Sequence, residues 1–108
     1  MGVSVFEAIK TAGIAPGTIV ISDAGHDKGR AYLVVDVKEK IAFLADGRAR
    51  SIADPKKKRV THVKVLGITE KTTETIKELS VIRNTEAGDM IVRDVIKEFI
   101  LKNRNNDH

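Results

Sequence analysis

The strongest constraint on the fold is a series of short β-rich runs between residues 18 and 66, separated by turn residues. Five strands are predicted, at Thr18–Ser22, Ala31–Val37, Ile41–Ala45, Arg50–Ala53 and Thr61–Leu66. Lys38-Glu39-Lys40 and Asp46-Gly47 read as hairpin turns between them. Strands this short cannot build a large sandwich. A small closed or half-closed barrel would suit them and would leave few strand edges exposed.

Side chains within these runs alternate between two faces, which is typical of strands. In the second run the alternation separates Leu33, Val35 and Val37 from Tyr32, Val34 and Asp36. In the fifth run Val63 and Val65 should point inward, with His62 and Lys64 outward. Ile41 and Phe43 should share one face of the third run.

After residue 72 the hydrophobic period becomes helical, and helices are expected over residues 72–83 and 85–102. Thr75 and Glu78 have the spacing of a capping box for the first helix, whose apolar face would contain Ile76, Leu79 and Ile82. Asn84 or Thr85 could cap the second. Its apolar stripe consists of Val92, Val95, Ile96, Phe99 and Ile100. This stripe should pack either on the barrel or on a partner, so the oligomeric state stays open.

The chain therefore divides into four parts. Residues 1–15 form an N-terminal segment, with a short helix expected at Ser4–Ala12, and residues 16–66 form the barrel. Residues 67–102 form a helical extension, and residues 103–108 a frayed tail. The predicted fold class is mainly β with one or two C-terminal α-helices.

Composition excludes several classes of protein. The chain has no Cys, which excludes disulfides and thiolate metal sites, and its three His make a zinc site uncommon. No apolar run approaches a membrane span, and the first residues lack the features of a signal peptide. We therefore expect a cytoplasmic protein with no membrane partner and no cofactor.

The positive charge is concentrated in one region. The net charge is +4, and residues 1–70 hold 12 Lys or Arg against 8 Asp or Glu, whereas residues 71–108 hold 7 of each. Between Asp46 and Lys64 there are seven basic residues and two acidic ones. Such a block is the usual electrostatic footprint of a polyanion partner.

The most specific stretch is PGTIVISDAGHDKGRAYLVVDVKEKIAFLADG, residues 16–47. Its Pro-Gly entry, its loop from Ser22 to Arg30 between two strands, and its Asp46-Gly47 turn resemble the KOW motif of ribosomal proteins and of transcription elongation factors. The stretch looks closest to the fourteen-e type of large-subunit ribosomal protein, and Gly29 corresponds to the motif's hallmark glycine. The block Lys56–Arg59 also looks like the basic tail of that family. The resemblance covers residues 16–66 and implies a small SH3-like barrel that binds RNA.

The residues themselves favour contact with a phosphate backbone. Gly25 and Gly29 would allow close approach of another backbone. Lys28 and Arg30 supply positive charge beside them, and His26 could stack on an unpaired base or contact a phosphate. Lys56–Arg59 would form a mobile cationic arm whose binding to RNA weakens with salt. The candidate RNA-binding residues are Gly25, His26, Lys28, Gly29, Arg30, Arg48, Arg50, Lys56, Lys57, Lys58, Arg59 and Lys64. The competing interpretation is an ordinary turn beside a solvated charge run.

The aromatic residues set a limit on how RNA could be read. Of the four aromatic residues, Phe43 and Phe99 lie on apolar faces and are expected in the core. Tyr32 lies on the polar side of its strand and is the one candidate for stacking on a base. Recognition should then rest on shape and phosphate rather than on base stacking.

An enzyme is the less favoured reading. Asp23, His26 and Asp27 lie close together, but the chain contains no recognised catalytic motif around them. We therefore expect a ribosome- or translation-associated RNA-binding module and not an enzyme. The alternative is an interaction adaptor that binds ribosomal or transcription proteins.

Overall fold

The structure, a computed structural model, describes residues 14–105, with side chains described up to residue 103. The helix predicted at Ser4–Ala12 and the last three residues lie outside this range. The described elements are strands β1 (Ile19–Ser22), β2 (Ala31–Lys38), β3 (Ile41–Ala45), β4 (Lys56–Arg59) and β5 (Val63–Gly67), followed by helices α1 (Glu70–Val81) and α2 (Thr85–Asn105). A single 3-10 turn, Val60–His62, connects β4 to β5.

The strands form one antiparallel sheet in the order β4-β3-β2-β1-β5. The first four strands follow one another as a meander, and β5 returns to pair with β1. Glu39 adopts a left-handed conformation (φ 57°) in the tight turn between β2 and β3, as predicted for a hairpin. The sheet remains open because β4 and β5 are its two edges, so the structure is a five-stranded antiparallel sheet with two C-terminal helices.

Each face of the sheet carries its own hydrophobic cluster. The inner cluster contains Ile14, Val20, Tyr32, Val34, Ala42, Leu44, Val60 and Val63. The outer cluster contains Ile19, Leu33 and Ala45 from the sheet and Val92, Val95, Ile96 and Phe99 from α2. Burial on both faces explains why three successive residues, Tyr32 to Val34, have at most 1% of their surface exposed.

A β-bulge in β2 changes the predicted alternation. Val34 pairs with Leu44 and Asp36 pairs with Phe43, so Val35 is the extra residue. As a result Val37 packs against the inner cluster, whereas Val35 packs against the outer one. The prediction that Val35 and Val37 share a face is therefore wrong, because a strict period of two does not survive an inserted residue.

The fourth strand lies later in the chain than predicted. Arg50–Ala53 is not a strand: the backbone N–H of Ile52 donates to Asp89 of α2 (2.8 Å), and Asp54 N–H donates back to the Ser51 carbonyl (3.1 Å). The strand is instead the basic block Lys56–Arg59, which pairs with β3. Lysine-rich edge strands are a common protection against pairing with another chain.

The prediction for β5 holds for Val63 but not for Val65. Val63 is fully buried opposite Ser22, whereas Val65 is 41% exposed. Val65 and its neighbour Leu66 are both exposed and belong to neither cluster of the described residues, so this part of β5 is left uncovered by the core.

The first helix begins earlier than predicted. Thr69 is its N-cap: the Thr69 hydroxyl accepts from Thr72 N–H (3.1 Å), and the Thr72 hydroxyl accepts from Thr69 N–H (2.9 Å). This reciprocal pair replaces the expected Thr75–Glu78 box. Ile82 follows the helix as its C-cap, and Asn84 accepts a hydrogen bond from Ala87 N–H (3.2 Å) at the start of α2.

The apolar stripe of α2 packs on its own sheet. Val92, Val95, Ile96 and Phe99 are buried in the outer cluster, and Ile100 packs against it. The stripe is therefore covered within the chain, which removes the reason for dimerisation through it. The helix continues to Asn105, through residues expected to be frayed. No helix among the described residues combines the length and apolarity needed to cross a membrane.

Candidate nucleic-acid interface

The loop between β1 and β2 is closed by its own backbone. Gly25 (φ 85°) and Gly29 (φ 91°) take left-handed conformations, as tight turns require. The backbone N–H groups of Lys28, Gly29 and Arg30 all donate to carbonyls of residues 22–27. These three amides are therefore occupied, so the end of the loop that carries Lys28 and Arg30 offers a ligand its side chains rather than its backbone N–H groups.

Asp27 is the centre of a buried polar network beneath this loop. Its side chain is 8% exposed and accepts hydrogen bonds from Ser22 (2.8 Å) and Tyr32 (2.9 Å). Lys58 lies 2.7 Å from Oδ1 and Lys56 lies 2.9 Å from Oδ2. Lys58 also donates to the Ser22 hydroxyl (2.5 Å) and the Ala24 carbonyl (2.6 Å), so all three of its N–H groups are satisfied.

This network shifts the ionisation of both of its acids. Burial raises the pKa of Asp27, but hydrogen bonds from Lys58, Lys56, Ser22 and Tyr32 outweigh it, and the pKa falls well below its ordinary value. Burial, together with the hydrogen bond to the Asp27 carboxylate, raises the pKa of Tyr32 to about 12. At neutral pH the site is a buried carboxylate between two ammonium groups, which ties the β1–β2 loop to β4.

The prediction that Lys56–Arg59 forms a mobile cationic arm is wrong. The four residues form a strand, and the side chains of Lys56 and Lys58 are only 26% and 9% exposed because both pair with Asp27. Lys57 and Arg59 alternate to the opposite face and are exposed. Two of the four charges are thus used inside the fold, and two remain for a ligand.

Four basic side chains from separate parts of the chain line one groove, named here the basic groove. One side of the groove is formed by the start of β2 and the start of the β3–β4 loop. The other side is formed by the second half of α2. Its basic members are Arg30, Arg48, Arg93 and Lys97. Asp46 and Asp94 also line it, and Ala31, Ala49, Ile96, Ile100 and Leu101 form its apolar part.

The groove depends on close packing of the Asp46-Gly47 turn against α2. A side chain at Gly47 (φ 77°) would collide with the backbone carbonyl of Asp89. The Arg93 guanidinium donates to the Gly47 carbonyl (2.6 Å), and the Asp46 carboxylate accepts hydrogen bonds from the backbone N–H groups of Arg48 (2.9 Å) and Arg50 (2.8 Å). The sequence indicated the turn, but nothing in it indicated that Arg93 and Lys97 would join Arg48.

The other predicted residues do not line the basic groove. His26 and Lys28 are exposed on the β1–β2 loop, and Arg50 is half-buried with its backbone closing the turn. Lys64 is exposed on β5, with its ammonium 3.9 Å from the Asp23 carboxylate. The structure thus brings Arg30 and Arg48 together but distributes the remaining candidates over the loop and both sheet edges.

The aromatic residues differ from expectation in two of three cases. Tyr32 is buried with its hydroxyl on Asp27, so it cannot stack on a base, and the prediction is wrong. Phe99 is buried, as predicted, and its ring lies against Gly67. Phe43 is half-buried and, among the residues that the structure describes, belongs to neither core cluster.

The fold separates the three residues considered as an acid–base cluster, Asp23, His26 and Asp27. Asp27 is turned into its lysine pair, whereas Asp23 and His26 are exposed. Within the described part of the chain, no group of three or more His, Cys, Asp or Glu is placed to hold a metal ion. Comparison with protein-family models and with curated proteins gave no match.

Proposed function

We propose that this protein is an RNA-binding module, ribosome- or translation-associated, which contacts the phosphate backbone of structured RNA through the basic groove. The observation that supports this is the convergence of Arg30, Arg48, Arg93 and Lys97 on one surface. Guanidinium groups suit phosphate because their planar N–H donors can bind two oxygens at once. Four cations against two carboxylates leave the groove with an excess of two positive charges.

We also propose that the open sheet is an SH3-like barrel of the KOW kind. The strand order supports this: β1 to β4 form a meander, a 3-10 turn follows β4, and β5 then returns to pair with β1. So does the single inner cluster that takes residues from both edges of the sheet, Val60 after β4 and Val63 in β5. In this interpretation the Asp27 network positions the β1–β2 loop, and Arg30 at the loop's end reaches the groove.

The test compares two variants with the same change in charge. Arg30→Glu/Arg48→Glu alters the groove, and Lys77→Glu/Arg83→Glu alters exposed residues in and after α1 that do not line it. Binding of a labelled ribosomal RNA fragment is measured by fluorescence anisotropy at two salt concentrations. The groove variant should bind at least about tenfold more weakly and lose about 0.7–0.9 of salt slope for each phosphate contact removed. Equal losses in both variants would mean that only net charge matters, and no binding by the wild type would refute the proposal.

The adaptor hypothesis is the second candidate because the groove also has an apolar side. Leu101 is 47% exposed there, and an acidic peptide with apolar side chains would fit the same chemistry. Association with ribosomal or transcription proteins that survives nuclease treatment, together with no RNA affinity of the pure protein, would favour the adaptor.

A further inference from the structure

Phe43 lies on the outer face of the sheet, beyond the part that α2 covers. Its strand neighbours Ala42 and Leu44 are fully buried in the inner cluster, so alternation directs Phe43 to the opposite face. Ala45 occupies the same outer face two residues further on and packs in the outer cluster. The Phe43 ring therefore stands at the margin of the covered area, half-buried.

Two ammonium groups lie over this ring, and a third basic side chain lies near it on the same face of the sheet. The ammonium groups of Lys38 and Lys57 lie 5.7 Å and 5.9 Å from its centroid. Lys57 is directly opposite Phe43 in β4, and Arg59 is opposite Ile41 on the same exposed face. Asp36, opposite Phe43 in β2, is the acidic neighbour.

Shielding is the simplest role for such lysines, since they cover apolar surface and protect an edge strand. Yet both lysines are exposed residues on flexible stems, and a solvated ammonium group above a half-buried ring is a weak interaction. Stacking of a nucleic-acid base on an aromatic ring is stronger, and the displaced ammonium groups would then meet the phosphates on either side of that base. Replacing the ammonium groups with a base therefore strengthens the contact with the ring and also gives the two lysines phosphates to bind.

We propose that Phe43 is a stacking platform for one unpaired base, with Lys38, Lys57 and Arg59 binding the adjoining phosphates. This rests on the proposed RNA binding and specifies its ligand as RNA with a single-stranded element. Asp46, which lines the basic groove, is three residues beyond Phe43, about 10 Å along the strand. An RNA strand that leaves the basic groove therefore has only a short distance to cross before it reaches the Phe43 ring.

The chain offers a direct reporter for stacking because it contains no Trp. In Phe43→Trp, the indole is the only Trp, and a base stacked on it should quench its fluorescence. Oligoadenylate should quench it, whereas heparin, a polyanion without bases, should bind without quenching. The same oligoadenylate annealed to oligouridylate should quench less, since its bases are already paired and stacked within the duplex.

Affinity provides the second measurement. Phe43→Leu should weaken oligoadenylate binding about tenfold while leaving heparin binding unchanged, and Phe43→Tyr should restore it. Because Phe43 lies outside both core clusters, equal melting temperatures of wild type and variants serve as the folding control. If the wild type binds RNA but Phe43→Leu matches it and Phe43→Trp is not quenched, the platform is refuted while RNA binding stands. If the wild type binds no RNA, both proposals fall.

Discussion

The Lys58 ammonium lies 2.7 Å from the Asp27 carboxylate, and both side chains are more than nine-tenths buried. The contact joins the β1–β2 loop to the edge strand β4, which are far apart in the chain. Its removal should be costly because a buried charge that loses its partner keeps the full penalty of desolvation.

Asp27→Asn should therefore lower the free energy of unfolding by about 3 kcal/mol, since Lys58 would remain buried without a counter-charge. Urea unfolding followed by circular dichroism measures this. Asp23→Asn is the matched control because Asp23 is 40% exposed and lies 3.9 Å from Lys64; its effect should stay within about 0.5 kcal/mol. A cost for Asp27→Asn no larger than that of the control would contradict the assigned role.

The same carboxylate predicts a loss of stability in acid. The pKa of Asp27 is lower in the folded chain than its ordinary value of 3.8, so its contribution is fully present above that value. The contribution declines as the pH falls through it towards the folded pKa. Unfolding measured at a series of pH values should show the gap between wild type and Asp27→Asn narrowing below about pH 4. A constant gap would show that Asp27 has no depressed pKa.

Tyr32 predicts the opposite behaviour at alkaline pH. It is the only Tyr of the chain, so phenolate absorbance reports it alone. The midpoint should lie at about 12 in the folded protein, against 10.0 for an ordinary Tyr, which urea should restore. Because the folded pKa is the higher one, the contribution of Tyr32 is present below pH 10 and lost as the pH rises through 12. A folded midpoint near 10 would exclude the hydrogen bond to Asp27.

Substitutions of Gly47 and Gly29 distinguish the cost of an unfavourable backbone conformation from the cost of lost packing. Both have positive φ, but a side chain at Gly47 would strike the Asp89 carbonyl, whereas nothing lies within 4 Å of one at Gly29. Gly29→Ala should cost about 1 kcal/mol from backbone conformation alone. Gly47→Ala should cost about 3 kcal/mol, because the turn must also move away from α2. Thermal or urea unfolding of the two variants tests this, and equal costs would mean that the turn does not pack closely on the helix.

The basic strand β4 should divide into two functional pairs. Lys57→Ala/Arg59→Ala removes the exposed charges and should lower the slope of RNA affinity against salt by up to about 1.5 with little change in stability. Lys56→Ala/Lys58→Ala removes the partners of Asp27 and should destabilise the fold, with little change in slope at temperatures where the protein stays folded. Filter binding at several salt concentrations, paired with melting curves, distinguishes them. The reverse result would place the RNA contact on the other side of the strand.

Local pattern was sufficient for much of the architecture. β3 lies at Ile41–Ala45 as predicted, β1 and β2 differ by one residue at an end, and the apolar stripe of α2 is buried. These elements are encoded by nearest neighbours: alternation for a strand, the helical period for a helix, and Gly or Asp for a turn. The fourth strand was missed because lysine is a poor indicator of strand, and its pairing with β3 is a long-range event.

The sequence by itself determined which residues are charged, where the two predicted hairpin turns lie and which stripe of α2 is apolar. Only the tertiary structure decided that Lys58 is buried and Lys57 exposed, that Tyr32 is core and Phe43 is not, and that Arg93 meets Arg48 at one groove. The physical reason is that the charge of a lysine is a local property, whereas its partner is set by which strands pair and which loops they bring together. A single bulge at Val35 or a shifted strand reassigns whole faces, and no local pattern records it.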